Sequence, residues 1–358
     1  MSRFFTERLA ALVPYTPGEQ PRDRRYIKLN TNESPFPPSP GVAAAVAAEA
    51  DHLQLYSDPT CRELTEEMSR VMGVPEECII LTNGSDEVLN FAFMAFADET
   101  HPLCFPSVTY GFYPVFAALN RIPYEEIPLR EDFSVDPADY TRLDGKTIVI
   151  ANPNAPTGLC LTLPEIEAIV ASNPDGVVII DEAYVDFGAE SAIPLVNRYD
   201  NLLVTGTFSK SRSMAGARLG FGIASPALIA DLHTVRYSTN PYNVNRMTAA
   251  AGCAALREND YYMENCRTII RTRAYTTDAL RARGFEVLDS KANFVFAKSD
   301  RIEGGELYRS LKDRGILVRH FDKDGISDYN RITIGTREEM DSLLAAIDDI
   351  LCKRGDNT

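Results

Sequence analysis

Lys210 stands at the centre of TFSKSRSMAGARLGFG (207–222), a hydroxyl-rich turn entered from the apolar run Leu202-Leu203-Val204. Arg218 follows eight residues later, just before another apolar run. A lysine in such surroundings is paired with a carboxylate, deprotonated, or used covalently. Four further polar clusters also follow apolar runs: Gly84-Ser85-Asp86, Tyr110, Asn152 to Gly158, and Asp181 with Tyr184.

Each cluster has its own chemistry. Asp181 closes the run Val177-Val178-Ile179-Ile180, where an unpaired carboxylate is costly. A cap or a salt bridge accounts for it as readily as a role in keeping a ligand's ring nitrogen protonated. Tyr184, three residues on, is placed to reach a neighbouring phenolate oxygen, and Tyr110 offers a flat ring for stacking or for ordinary packing. Ser85 and Asp86 open a helix, whose first N–H groups suit a phosphate as well as an N-cap. Ser209 and Arg218 add a hydroxyl and a guanidinium to the same anion. Singly these are weak signals. Jointly they describe the needs of one cofactor, pyridoxal phosphate, with Lys210 as its Schiff-base lysine and an acidic partner on its pyridine nitrogen.

The elements that must position these groups alternate. ECIILTNGSDEVLNFAFMAFA (77–97), HPLCFPSVTYGFYPVFAAL (101–119), KTIVIANPNAPTG (146–158) with the helix begun near Pro164, GVVIIDEAY (176–184) and NLLVTGTFSK (201–210) read as buried strands, several running through a turn into a helix. Continuously apolar strands alternating with helices predict an α/β fold with a mostly parallel sheet covered on both faces. In such sheets the ligand site lies beyond the carboxyl ends of the strands, which puts all five clusters on one rim. After about residue 244 the pattern becomes a long helical stretch to about 283, then short strands in 284–298, 315–321 and 330–336 and a final helix, a smaller α+β unit. Thr336 and Glu339 make a capping box there, ahead of a stripe of Met340, Leu343, Leu344, Ile347 and Leu351. The expected division is an arm over 1–33 belonging to the small domain, a large cofactor domain over 34–243, and a small domain over 244–358.

Composition narrows the function classes. With 358 residues and 45% apolar side chains, the chain is long enough for two cored domains. A formal charge of −15 argues against nucleic acid or acidic membrane as partner, so placed arginines must attract an anionic substrate. Seven scattered cysteines without a Cys-x-x-Cys pair point to reduced thiols in the cytoplasm rather than a disulfide framework or structural zinc. The N-terminus has no signal-peptide pattern, no run approaches the ~20 apolar residues of a membrane span, and the four histidines have no metal-ligand spacing.

The chain resembles the fold-type I pyridoxal-phosphate aminotransferases, and among them the histidinol-phosphate aminotransferases. The likeness runs from LNTNESPF through YSDPT, NGSDEVL, NPNAPTG, DEAYVDF, TFSK, AGARLGF and ANFVF to RITIGTREE; the last, with PYNVNR, is characteristic of the histidinol-phosphate branch. The resemblance implies ping-pong transamination of L-histidinol phosphate with 2-oxoglutarate, yielding imidazole acetol phosphate and L-glutamate, in histidine biosynthesis. It implies that Lys210 binds the cofactor and then shuttles a proton, that Asp181 pairs with the pyridinium, that Tyr184 bonds the 3′-oxygen, and that Tyr110 stacks on the ring. Ser85, Asp86, Thr207, Ser209 and Arg218 would hold the phosphate. Tyr56 would reach the cofactor phosphate of the other subunit, making a homodimer with shared sites part of the mechanism. Tyr15, Asn243, Arg319 and Arg331 match substrate positions, the two arginines taking either the phosphate of histidinol phosphate or the carboxylate of glutamate.

Two positions depart from the family pattern. The usual asparagine before Pro-Thr-Gly is Ala155, leaving Asn154 or Asn152 to substitute, or Tyr184 to carry more of that contact. Ser211-Arg212-Ser213 replaces more apolar residues. Three other readings share much of the pattern: an aromatic amino-acid aminotransferase, a threonine-phosphate decarboxylase, and a ligand-sensing regulator on the same fold. The regulator is disfavoured because the chain is acidic and opens almost directly on the family's own arm.

Overall fold

The computed structural model describes residues 2–143 and 145–355. Met1 and residues 356–358, the outermost parts of the expected arm and small domain, lie outside the described residues, as does Asp144. After the short strand β1 (Ile27–Lys28), seven strands form the main sheet: β2 (Ile79–Thr82), β3 (Leu103–Pro106), β4 (Tyr124–Ile127), β5 (Thr147–Ala151), β6 (Val178–Asp181), β7 (Leu202–Thr207) and β8 (Gly220–Ala224). Their order is β2-β8-β7-β6-β5-β3-β4.

Strands β5 and β6 are buried along their whole length, as a sheet covered on both faces requires. β3 through β7 pair in parallel, and only β8 runs against its neighbours β2 and β7. β8 is antiparallel because residues 208–219 return the chain directly, with no crossover helix to carry it back. Two antiparallel steps leave β2 pointing the same way as β7, so the turns after β2, β3, β5, β6 and β7 all open on one edge. β4 and the helix Pro226–Thr239 are additional to the elements expected from the sequence.

The second sheet is antiparallel. Its strands are β9 (Phe285–Val287), β10 (Phe294–Ser299), β12 (Arg319–His320) and β13 (Asn330–Thr333), in the order β12-β13-β10-β9. The run 315–321, which reads as one strand, divides at buried Val318. β11 (Ile316–Leu317) pairs in parallel with β1 of the N-terminal arm, and β12 joins the second sheet. The closing helix Arg337–Gly355 has its capping box, Thr336 N to Glu339 Oε2 at 2.8 Å and Glu339 N to Thr336 Oγ1 at 3.2 Å. All five residues of its expected stripe are buried in the second core.

The long helical stretch breaks at Glu258 into Arg246–Arg257 and Asn259–Arg281. The first packs on Pro40–Ala50 and Arg62–Met72 and places Ala251, Cys253 and Leu256 in the core beneath the main sheet. The second helix joins the two cores, with Tyr262 in one and Cys266, Ile269 and Leu280 in the other. Among the described residues no helix is long and apolar enough to cross a membrane.

Candidate active site

The turns after β2, β3, β6 and β7 enclose a cavity of ≈ 260 Å³. Ser85, Asp86, Tyr110, Asp181, Tyr184, Thr207, Ser209, Lys210 and Arg218 all line it. These nine residues, read from dispersed motifs, meet because the parallel strands deliver their ends to a single edge.

Asp181 is the last residue of β6, with Ala151 of β5 and Thr205 of β7 as its register partners. Its carboxylate accepts hydrogen bonds from the Tyr113 hydroxyl at 2.9 Å, the Thr205 hydroxyl at 3.3 Å and the Ala183 N–H at 3.3 Å. Burial raises its pKa to about 6 against these bonds, which lower it. A cationic N–H donor in the cavity would oppose that rise. Tyr113, fully buried, was not picked out from the sequence. Its only signal was its spacing three residues after Tyr110, and packing rather than periodicity turned it towards Asp181.

Lys210 Nζ donates to the Thr31 carbonyl at 3.1 Å and lies 5.9 Å from the Tyr184 ring centre. Burial and then the Arg331 charge lower its pKa to about 8, opposed by Glu33 and Asp86. The amine is therefore far easier to deprotonate than a surface lysine, as a nucleophile requires.

At the other end of the cavity, the helix Ser85–Phe96 starts from Gly84, whose φ of 81° places it in the left-handed region. A Cβ on Gly84 would lie 2.6 Å from Arg218 Nη2, so glycine leaves room for that guanidinium. A Cβ on Gly220 would come 2.3 Å from Ser85 N, so a second glycine lets β8 approach the helix start. The helix's first N–H groups lack partners within the helix and attract anions. Arg218 pairs with Asp86 Oδ2 at 3.2 Å, Tyr110 donates to Asp86 Oδ1 at 2.9 Å, and the Thr207 and Ser209 hydroxyls bond each other at 2.9 Å.

Six expected site residues fall outside the cavity lining. Arg319 and Arg331 face each other as register partners on β12 and β13. Arg331 donates to the Asn30 carbonyl at 3.1 Å, and its Nε is buried without a partner. Arg319 holds the carbonyls of Thr16 and Pro17 at 3.2 and 3.3 Å. Tyr15 stacks on Phe112 at 4.3 Å, and its ring centre is 6.3 Å from that of Tyr110. These three border the site, and Arg331 and Tyr15 are close enough to act electrostatically on Tyr184 and Tyr110.

The other three do not. Asn154 is not free for a ligand: its amide accepts from Thr109 and donates to the Val108 carbonyl and the Thr157 hydroxyl, locking the turn. Asn152 is likewise bound through both amide atoms to the backbone of Leu161. Neither substitutes for the missing asparagine, and at 155 the cavity wall is an alanine. Asn243 is buried against Glu87 and the start of the helix at Ser85. Tyr56 is exposed and stacks on Tyr242 at 4.5 Å.

Ser211-Arg212-Ser213 proves to be a buried tie. Arg212, 5% exposed, pairs with Asp186 at 3.1 Å and donates to Asn259 at 2.9 Å, while Ser213 bonds Ser34 at 2.9 Å. The turn after the lysine is thus fastened to the helix that joins the two cores.

Glu182, next to Asp181, is buried and accepts from Ser191 Oγ and Ala192 N, both at 2.6 Å. Burial raises its pKa from the ordinary 4.5 to about 8. Its neutral form therefore contributes stability that is fully present below about pH 4.5 and lost as pH rises through about 8. Glu182→Gln keeps an acceptor for Ala192 and an amide opposite Ser191. It is expected to flatten the decline in Tm across that range, each pKa unit being worth about 1.4 kcal/mol. Thermal melts at pH 5, 7 and 8.5 check this; parallel curves for the two proteins would contradict it.

Relatives match nearly the whole chain. The family model for aminotransferase class I and II matches residues 24–347. Histidinol-phosphate aminotransferase of Brachyspira hyodysenteriae is 48% identical over 353 residues, covering 98% of this chain and 99% of the relative. The same enzyme of a Marinomonas species is 48% identical over 350 residues, covering 97% and 99%. The chain belongs to the histidinol-phosphate aminotransferase family. The family fold is seen in the crystal structure of histidinol-phosphate aminotransferase from Sinorhizobium meliloti in complex with pyridoxal-5'-phosphate, with a TM-score of 0.88, 23% identity and 99% coverage of both chains. L-threonine-O-3-phosphate decarboxylase from Porphyromonas gingivalis shares that fold, with a TM-score of 0.79, 20% identity, and coverage of 91% of this chain and 99% of its own. The backbone architecture is thus common to both reactions, and family membership rests on the sequence identity.

Proposed function

We propose that this chain is a pyridoxal-phosphate-dependent transaminase that exchanges the amino group of L-histidinol phosphate with 2-oxoglutarate. The carrying observation is one cavity that joins a half-buried lysine of lowered pKa, Lys210, to a buried carboxylate, Asp181, and an anion-binding helix start at Ser85. The donor set fits the cofactor: a carboxylate with a raised pKa wants a cationic N–H, and the N–H groups at Ser85 with Arg218 want a phosphate. Pyridoxal phosphate, when bound, supplies a ring that accepts electrons from the substrate's Cα–H bond and carries the amino group between the two substrates.

The chain's own residues do the rest. Lys210 Nζ, deprotonated at mildly alkaline pH, is available for covalent attachment and afterwards for moving a proton. Asp181, whose Oδ2 is steadied by the Tyr113 hydroxyl, would hold the ring nitrogen's proton. Tyr110 supplies a face, Tyr184 a hydroxyl, and Ser85, Asp86, Thr207, Ser209 and Arg218 the phosphate cradle, Asp86 through its backbone N–H. Arg331, with its unpartnered buried Nε, and Arg319 receive the substrate's anion, and planar guanidiniums suit both phosphate and carboxylate. Tyr15 closes this side.

In the same proposal the chain works in the cytoplasm as a homodimer. Leu53, Leu55 and Tyr56, close in sequence, and Tyr242, stacked on Tyr56, are all exposed, apolar surface suited to burial between subunits. Tyr56 then serves the partner's site, in keeping with its exposure and its absence from this chain's own cavity. Domain motion would follow the division between the two cores, with the arm moving with the small domain to which β1 is bonded.

The test is a set of half-reactions on the loaded protein, followed by absorbance. Histidinol phosphate and glutamate should each discharge the lysine-bound band, phenylalanine should do so far more slowly, and threonine phosphate should release no CO2. A preference for phenylalanine would overturn the substrate; failure to take up pyridoxal phosphate would overturn the whole proposal. Arg331→Ala should slow both productive half-reactions by on the order of 100-fold, as loss of a buried charge partner does. Weakening of only one would separate the two anion sites.

A further inference from the structure

Residues 30–32 touch the reactive residues one after another. The Asn30 carbonyl accepts from Arg331, the Thr31 carbonyl accepts from Lys210 Nζ, and Asn32 Nδ2 donates to the Tyr184 hydroxyl at 2.9 Å. Asn32 is 1% exposed with φ at 56°, a left-handed conformation that asparagine tolerates better than most residues. Its remaining polar groups are held too. Its N–H donates to Thr333 Oγ1 at 3.0 Å, its Oδ1 accepts from the same hydroxyl at 3.0 Å, and its carbonyl accepts from Asn293 Nδ2 at 3.0 Å. Because Oδ1 takes the Thr333 proton, the amide is oriented with its NH2 group towards Tyr184.

That orientation fixes a direction. An amide NH2 only donates, so the Tyr184 oxygen is the acceptor in this bond and its own proton is left for another partner. Tyr184 lines the cavity, where Ala155 has no polar group and the Asn154 amide is engaged in its turn. We propose that Asn32 is a positioning residue that sets Tyr184 as the hydrogen-bond donor to the cofactor's ring oxygen. This rests on the pyridoxal-phosphate reading above and adds a residue that touches neither cofactor nor substrate.

The test reverses the bond. Asn32→Asp presents an acceptor where the amide donated, so the Tyr184 proton turns away from the cavity. Asn32→Gly removes the group while suiting the left-handed backbone. The readout is the pH titration of the lysine-bound cofactor's absorbance, together with cofactor affinity. Tyr184→Phe, which has no proton to donate, should raise the apparent pKa of that titration: without its donor, the ring oxygen's charge holds the neighbouring nitrogen's proton more tightly. Asn32→Asp is expected to shift the titration in the same direction and to weaken cofactor binding on the order of 10-fold, the scale of one hydrogen bond to a charged group. Asn32→Gly is expected to shift it less.

Coincidence of the Asn32→Asp titration with wild type, while Tyr184→Phe shifts, would overturn the role of Asn32 and leave the cofactor reading intact. Should Asn32→Asp fail to fold, Asn32→Gly decides: a wild-type titration overturns the proposal, and an upward shift supports it. A wild-type protein that never binds the cofactor is a failure of the functional reading instead.

Discussion

Lys210→Ala is expected to abolish transamination, lowering turnover by at least ~10⁴-fold. That figure is the upper end for removing general acid–base help alone, and here covalent attachment is lost as well. The cofactor's lysine-bound absorbance should disappear with it. A folding defect is not expected to accompany the loss. The lysine's pKa is depressed to about 8 by burial and by Arg331. Relative to the unfolded chain, its contribution to stability is present above the ordinary value of 10.5 and lost as pH falls through about 8. Below that pH the wild-type protein must hold in the cavity wall an ammonium that donates to the neutral Thr31 carbonyl. The alanine variant, without ligand, should therefore melt no lower than wild type at pH 7. Turnover by Lys210→Ala within 100-fold of wild type would remove the lysine from the chemistry.

Asp181→Asn tests the opposite wall of the cavity. Breaking a buried charge pair costs about 3–5 kcal/mol, so turnover and cofactor retention should fall together by roughly 10²–10⁴-fold. The pH dependence gives an independent check. In the ligand-free protein Asp181 titrates at about 6 because burial outweighs the bonds from Tyr113, Ala183 and Thr205. As pH falls through about 6 the carboxyl becomes neutral and ceases to be a charged acceptor for a ring N–H. Cofactor uptake by wild type should therefore weaken below about pH 6, while Asp181→Asn shows no such inflection. Uptake can be followed by quenching of tyrosine fluorescence; an identical inflection in both proteins would assign it to another group.

Much of this site was legible because its parts sit at the ends of strands. A run such as Val178 to Ile180 is buried on both faces, and the residue that follows it emerges at the sheet's carboxyl edge. Asp181, Tyr184, Ser85 and Lys210 could therefore be placed together without knowledge of any distance. Arg319 and Arg331 were legible in kind, and their register pairing across β12 and β13 came from the fold.

Asn154 marks the opposite case. As a residue type it suits a cofactor oxygen, but its amide closes the turn against Val108, Thr109 and Thr157, and a side chain has too few donors and acceptors to do both. The Ser211 to Ser213 run looked like surface or pocket wall, yet Arg212 is buried because Asp186 and Asn259, far apart in the chain, converge on it.

The sequence by itself determined the α/β class, the order of the strand-end clusters and the family, because apolar periodicity and local motifs are properties of neighbouring residues. Only the tertiary structure decided that Tyr113 aims Asp181, that Asn32 orients Tyr184, that Arg246–Arg257 packs under the main sheet, and that Asn243 faces Glu87. The three side-chain pairings depend on which partner, 68 to 156 positions away, packing brings within hydrogen-bond reach. No local pattern encodes that choice.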